Sequence, residues 1–135
     1  MDTTHLSEAP AIAVNAAPGL VADGAEVIVA IPVLNEALHI VDCVRSLMIG
    51  DDRLKAAEFI VADAGSKDGT QAIVAELAKE FPNLRLVDNP KRLQSGGVNI
   101  AARSAGPGRK ILVRCDAHSI YPANYIMMVA EIGRA

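Results

Sequence analysis

The sequence predicts an α/β fold in which a largely parallel sheet is flanked by helices. Short apolar runs alternate with helix-period patterns from residue 26 onward, an order that favours parallel strands joined by helices. The four runs, each typical of a buried strand, are VIVAI (27–31), EFIVAD (58–63), LRLVD (84–88) and KILVRCD (110–116). With 51% hydrophobic residues among 135, we expect one domain over residues 26–135. Residues 1–25, which carry acids and prolines, are predicted to be a flexible leader.

Helical patterns fill the intervals between the runs. Gly50 stands where a C-terminal cap of the first helix would lie, and Asp68 can cap the second helix, which Pro82 ends. Glycines weaken the third helix, and Pro122 suits the first turn of the fourth. The predicted helices cover residues 36–48, 70–81, 95–106 and 123–133.

Composition excludes several classes of function. A net charge of -3 and a pI near 5.5 provide no general attraction for nucleic acid or anionic lipid. No unbroken apolar run approaches the roughly 20 residues needed to cross a bilayer. Cys43 and Cys115 have no CxxC partner, so we expect two buried thiols and a reducing cytoplasm rather than a disulfide.

Polar side chains collect where three of the four predicted strands end. Each has an ordinary explanation: Asp68 as a helix cap, Asn35 as a turn former, Glu36 as an acid in the first turn of a helix. Ligands of open parallel sheets bind beyond the carboxyl ends of the strands, however, and these residues meet at that edge. The collected residues are Asn35, Glu36, Asp63, Asp68, Asp116 and His118.

Asp116 and His118 are the candidate metal ligands. Residues at i and i+2 on extended backbone point to the same side, about 6.6 Å apart at their α-carbons, so both can reach one ion if the chain bends. A carboxylate with an imidazole suits Mn²⁺ or a similar divalent ion. Two protein ligands are too few for a structural site, which leaves positions for water and for the oxygens of a diphosphate. Asp63 could accept an N–H from a planar heterocycle.

Four ordered motifs resemble the glycosyltransferase family 2 enzymes of the GT-A fold, a Rossmann-like architecture. The likeness covers about residues 26–132 and is closest to bacterial exopolysaccharide enzymes of the succinoglycan-biosynthesis type. The motifs are IPVLNEALHIVDCVRSL (31–47), VADAGSKDGT (61–70), NPKRLQSGGVNIAARSA (89–105) and VRCDAHSIYP (113–122).

The resemblance implies roles for individual residues. Asp63 stands where the family contacts the uracil or other base, and Gln94 stands where many relatives place a basic residue near the phosphates, for which Lys91 or Arg92 could substitute. His118 is the third member of the DxD position, which in the family holds a divalent cation and the sugar diphosphate. The whole nucleotide-binding set is Pro32, Val33, Leu34, Glu36, Asp63, Gln94, Asp116 and Ala117.

By the same resemblance, the chain looks like the nucleotide-binding half of an inverting, metal-dependent transferase. We expect Mn²⁺ or Mg²⁺ as cofactor, a nucleotide-diphosphate sugar, specifically a UDP-sugar, as donor, and a saccharide or lipid-linked acceptor in polysaccharide biosynthesis. The catalytic base is expected downstream of Ala135, so the isolated chain is expected to be inactive. The full-length protein would lie in the cytoplasm or at the cytoplasmic face of the inner membrane, attached through its missing C-terminal part.

Three alternatives remain. A non-catalytic nucleotide-binding or interaction module would bind ligand without turnover. A dinucleotide-dependent dehydrogenase is disfavoured because IPVLNE replaces the GxGxxG loop. A phosphoreceiver domain is disfavoured because its acid cluster should fall at other strand ends.

Overall fold

A computed structural model describes residues 12–14, 24–90 and 94–134, with side chains placed for 24–90 and 96–132. In these residues, five strands form one sheet in the order β1-β5-β2-β3-β4. The strands are β1 (Ile12–Val14), β2 (Val27–Val33), β3 (Glu58–Asp63), β4 (Leu84–Asp88) and β5 (Ile111–Arg114). Four of them run parallel, and β1 pairs antiparallel with β5.

Helices cover both faces of the sheet, which confirms the predicted α/β class. The helices are α1 (Ile40–Leu47), α2 (Thr70–Glu80), α3 (Gln94–Ser104) and α4 (Tyr125–Arg134). Alternate residues of β2 serve the two faces: Val27, Val29 and Ile31 pack in the main core with α1, α2 and α4, whereas Ile28 and Ala30 pack against α3. None of the described helices combines the length and the apolarity needed to cross a membrane.

Helix α3 lies unusually close to the sheet. A β-carbon at Gly97 would stand 3.2 Å from Cβ of Pro32 and 3.4 Å from Cβ of Ala62. Glycine at this position therefore lets the helix approach the strands at the edge where the candidate site lies.

The predicted leader contains a short strand at residues 12–14. Ile12, Ala13 and Val14 pair with Val113, Leu112 and Ile111, because this apolar tripeptide meets the open edge of β5. Residues 24–26 form a 3₁₀ turn that leads into β2. The rest of the predicted leader lies outside the described residues.

Two predicted helix caps are also corrected. Helix α1 ends at Leu47, and its C-cap is Met48, whose N–H donates to the carbonyl of Val44, rather than Gly50. A β-carbon at position 50 would stand 2.5 Å from Cδ1 of Leu54 and 2.6 Å from Oδ1 of Asn124, so these side-chain ends would have to shift to accommodate it. At α2, the residue before the helix is Gly69 (φ 93°), and Asp68 accepts the N–H of Thr70 from one position earlier.

Both cysteines are buried free thiols, as predicted. Burial, reinforced by the charges of Asp116 and Glu36, raises the pKa of Cys43 to about 12. Burial also raises the pKa of Cys115 well above its ordinary value.

Candidate functional site

The acids predicted to converge lie at one edge of the sheet. Strand β2 ends at Val33, which pairs in register with Asp63, the last residue of β3. Strand β5 lies on the other side of β2, and Cys115 still bonds the carbonyl of Ala30 at 2.9 Å before the chain turns at Asp116. Since all three strands are parallel, Asp63 and Asp116 leave the sheet at the same edge.

Two loops at this edge are tied together by side chains that accept backbone N–H groups. Asn35, in the left-handed region at φ 55°, begins the first loop, a conformation that asparagine adopts more readily than most residues. Side chains of each loop accept backbone N–H groups of the other, so hydrogen bonds within the chain hold the two loops together. The bonds are Asn35 N to Ser66 Oγ (2.8 Å), Glu36 N to Thr70 Oγ1 (3.0 Å), Ala37 N to Asp68 Oδ2 (3.0 Å) and Lys67 N to Asn35 Oδ1 (2.8 Å).

Asp63 is the most buried of the site acids, with 2% of its surface exposed. Its Oδ2 accepts from the N–H of Gly65 at 3.0 Å, from the N–H of Ser66 at 3.1 Å and from Nε2 of Gln71 at 2.5 Å. Burial alone would raise the pKa of Asp63, but these hydrogen bonds outweigh it and hold the pKa below its ordinary value. The carboxylate is thus ionised and largely occupied, and Oδ1 retains the greater capacity to accept a further N–H.

Asp116 and His118 meet at the end of β5 in a cluster with Glu36 and His39. His118 Nε2 lies 3.1 Å from Asp116 Oδ1, and His118 Nδ1 lies 2.9 Å from Glu36 Oε2. His39 Nδ1 lies 3.4 Å from the other oxygen of Glu36, and its ring stands edge-on to that of His118. Two carboxylates and two imidazoles therefore alternate across this corner of the site.

Tyr121 fixes the backbone of Asp116. The tyrosine hydroxyl accepts the Asp116 N–H at 2.7 Å and donates to the Asp116 carbonyl at 3.2 Å. The N–H of Tyr121 donates to Ser46 Oγ on α1 at 2.9 Å. The turn that carries the candidate metal ligands is consequently anchored to a helix of the core.

The remaining predicted site residues lie around the same edge. Val33 and Ala117 are buried, Pro32 is half-buried and Leu34 is exposed. Gln94 begins α3, but its side chain lies outside the described part of the structure. Lys91 and Arg92, either of which could substitute for Gln94 near the phosphates, also lie outside the described residues.

A divalent cation fits the pair at Asp116 and His118. Two ligands on adjacent corners of an octahedron stand about 3 Å apart when each metal bond is about 2.1 Å, and Asp116 Oδ1 lies 3.1 Å from His118 Nε2. Across residues 24–90 and 96–132, no set of three or more carboxylate, imidazole or thiol groups is placed to hold a metal. A cation here would take its other ligands from water or from a bound phosphate, as the sequence predicts.

Sequence reasoning missed the contacts that support these residues. The glutamate that meets His118 is 82 residues away, and neither His39 nor Tyr121 carries a local signal for its role. Ser66 and Thr70 could have been found, because both lie in the VADAGSKDGT motif beside the predicted helix cap. Hydroxyl side chains at such positions commonly bond nearby backbone groups.

Comparison with known proteins gives consistent results. The sequence profile described as glycosyl transferase family 2 matches residues 28–132. Succinoglycan biosynthesis protein ExoA from Rhizobium meliloti is 42% identical over 104 residues, which cover 77% of this chain and 31% of that protein. The chain thus spans about a third of the length of this relative.

Solved structures show the same architecture. The mannosyltransferase PcManGT from Pyrobaculum calidifontis, determined with GDP-Man and Mn²⁺, superposes with a TM-score of 0.67 at 25% identity, over 89% of this chain and 36% of that one. S. aureus TarS, determined with UDP, gives a TM-score of 0.56 at 22% identity, over 69% of this chain and 27% of that one. The second likeness concerns the fold alone.

Proposed function

Because the chain belongs to glycosyl transferase family 2, we propose that it forms the donor-binding part of an enzyme of polysaccharide biosynthesis. The parent enzyme transfers a sugar from a nucleotide-diphosphate sugar, which we expect to be a UDP-sugar, to a saccharide or lipid-linked acceptor. Support comes from the likeness to ExoA and from PcManGT, whose structure contains GDP-Man and Mn²⁺. Because the chain spans only 31% of ExoA, the transfer reaction is proposed for the whole parent protein and not for this chain alone.

The observation that carries the proposal is the common edge occupied by Asp63, Asp116 and His118. The 3.1 Å contact between Asp116 and His118 lies at the end of β5, and Asp63 closes β3 on the far side of β2. The Asp116–His118 pair and Asp63 lie beside two loops that are hydrogen-bonded to each other. A nucleotide would therefore meet an ordered surface with an acid for its base at one side and a cation-binding pair for its phosphates at the other.

We assign the residues of this edge to parts of the donor. Pro32, Val33 and Leu34 would contact the nucleotide, Asp63 Oδ1 would accept an N–H of the base, and Ala117 would lie against the diphosphate. Gln94 would stand near the phosphates at the start of α3. These assignments extend the family pattern to the positions that match it.

Asp116 and His118 would hold Mn²⁺ or Mg²⁺. When bound, such a cation neutralises charge on the diphosphate leaving group. The protein contributes the order of the site: Tyr121 fixes the backbone of Asp116, and the bonded loops keep the nucleotide surface in place. Inverting transfer also needs a base that deprotonates the acceptor hydroxyl. We expect this base in the part of the parent protein that corresponds to the portion of the relatives that this chain does not cover.

Calorimetric titration tests the proposal. We expect UDP or GDP to bind the wild-type chain more tightly with Mn²⁺ than without it, and we expect Asp116→Ala to remove this difference. The control is Asp88→Ala, which deletes an exposed carboxylate at the end of β4 and should leave the Mn²⁺ effect unchanged. Equal nucleotide affinity with and without Mn²⁺ in the wild-type chain would refute the assignment.

A turnover assay separates the transferase from the alternative of a non-catalytic binding module. We expect the 135-residue chain to bind a nucleotide sugar without transferring it, and the parent protein to transfer it. A parent protein that binds the donor and neither transfers nor hydrolyses it would favour the binding module.

A further inference from the structure

We infer that Glu36 is a positioning residue that sets the tautomer and orientation of His118, so that Nε2 of this histidine faces the cation. The inference rests on the proposed function and assigns to Glu36 a role other than nucleotide contact. It is carried by two distances: 2.9 Å from Glu36 Oε2 to His118 Nδ1, and 3.1 Å from His118 Nε2 to Asp116 Oδ1.

Hydrogen-bond chemistry decides where the imidazole proton lies. An ionised carboxylate only accepts hydrogen bonds, and a neutral imidazole has one N–H donor and one bare nitrogen. A proton on Nδ1 satisfies the shorter of the two carboxylate contacts, the one with Glu36 at 2.9 Å. The 3.1 Å contact of Nε2 with Asp116 Oδ1 is then satisfied in one of two ways: by a second ring proton on Nε2, or by a cation that replaces this proton and binds both atoms. With its Nδ1 bonded to Glu36, the His118 ring presents Nε2 as the nitrogen that can ligate a cation.

The two side chains differ in how firmly they are held. The Glu36 side chain is 16% exposed, and its backbone N–H donates to Thr70 Oγ1 while its carbonyl accepts the N–H groups of His39 and Ile40. The His118 side chain is 55% exposed. The acid, which is largely shielded from solvent and anchored through its backbone, can consequently hold the exposed ring in one orientation.

His39 shares the same carboxylate. Its Nδ1 lies 3.4 Å from Glu36 Oε1, and its ring centroid is 6.2 Å from that of His118. The two imidazoles thus contact different oxygens of the same carboxylate, His39 the Oε1 atom and His118 the Oε2 atom. Carboxylates that orient metal-binding histidines commonly contribute 10- to 100-fold to metal affinity.

Two measurements on the 135-residue chain test the inference. The first follows the side-chain nitrogens of His118 by long-range ¹H–¹⁵N NMR in the absence of metal: we expect a proton on Nδ1 in the wild type and a loss of that preference in Glu36→Ala. The second titrates Mn²⁺ alone, and then with UDP, by electron paramagnetic resonance. Glu36→Ala should weaken Mn²⁺ binding by roughly 10- to 100-fold, and Glu36→Gln, which retains an acceptor oxygen, should recover part of it.

Asp42→Ala is the matched control, because it removes an exposed carboxylate from the first turn of α1. The variants should fold, since the backbone bonds of Glu36 do not involve its carboxylate. In the NMR measurement, an Nδ1 without a proton in the wild type, or a pattern unchanged in Glu36→Ala, would overturn the inference. In the Mn²⁺ titration, equal affinities of Glu36→Ala and Asp42→Ala, or no binding by the wild type, would overturn it. Failure of UDP binding with Glu36-dependent Mn²⁺ binding intact would remove the proposed function and leave this inference standing.

Discussion

Asp63 should be the carboxylate at the candidate site whose charge matters most for folding. A hydrogen bond to a charged group contributes about 1.5–3 kcal/mol and a neutral one about 0.5–1.5 kcal/mol. Three donors, from Gly65, Ser66 and Gln71, meet the carboxylate. Asp63→Asn keeps an acceptor near the Oδ2 position but removes the charge, so it should lower the free energy of unfolding by about 2–4 kcal/mol.

The pH dependence follows from the direction of the shift. The pKa of Asp63 is lower in the folded chain than its ordinary value, so its stabilisation is complete above the unfolded pKa of about 3.9 and is lost as the pH falls through the folded pKa. The wild type should therefore exceed Asp63→Asn in stability at neutral pH, and the difference should narrow below about pH 4.

Urea unfolding from neutral to acid pH measures both effects. The control is Asp88→Asn, since Asp88 pairs with Asp63 in register but is exposed, and its replacement should change the free energy of unfolding by no more than about 0.5 kcal/mol. Equal losses for the two variants, or a wild-type advantage that persists unchanged in acid, would refute the assignment of charge-assisted bonds to Asp63.

Three further predictions concern the surroundings of the site. Tyr121→Phe removes a hydroxyl that contacts both backbone groups of Asp116, and should cost about 1–3 kcal/mol of unfolding free energy; an unchanged urea midpoint would contradict it. Gly97→Val should cost about 1–3 kcal/mol because the added carbons overlap the sheet; a stabilised variant in thermal unfolding would show that α3 can move away. Cys43 and Cys115 should react with a thiol reagent only after denaturation, because burial raises both pKa values; rapid reaction of the native chain would contradict this.

The strands were predictable where local sequence determines them. Strands β3 and β4 match the predicted runs at both ends, because polar turn residues bound each run. Strand β3 is buried as predicted, whereas β4 lies at the edge of the sheet and buries only Leu84. Strand β5 is shorter than predicted: the chain turns at Asp116, whose carbonyl accepts from Ser119 and from Tyr121. That turn depends on a tyrosine hydroxyl, which strand propensity does not describe.

Long-range partners explain what the sequence could not predict. Helix α1 begins at Ile40 rather than at residue 36, after a turn in which the Glu36 carbonyl accepts the N–H groups of His39 and Ile40 and the N–H groups of Glu36 and Ala37 bond side chains of Thr70 and Asp68. The site acids were predictable from their positions at strand ends, since parallel strands bring those ends together. The bond from Glu36 to His118 was not, because it joins residues 82 positions apart and exists only once the sheet has formed.

The short strand at residues 12–14 also governs how this chain behaves toward its own copies. By pairing with β5, it covers a row of backbone N–H and C=O groups that would otherwise end the sheet on that side. Trimming the first 23 residues would expose this row as a template for strands of neighbouring molecules. Such a shortened chain should self-associate more strongly than the intact chain at the same concentration, which light scattering would measure.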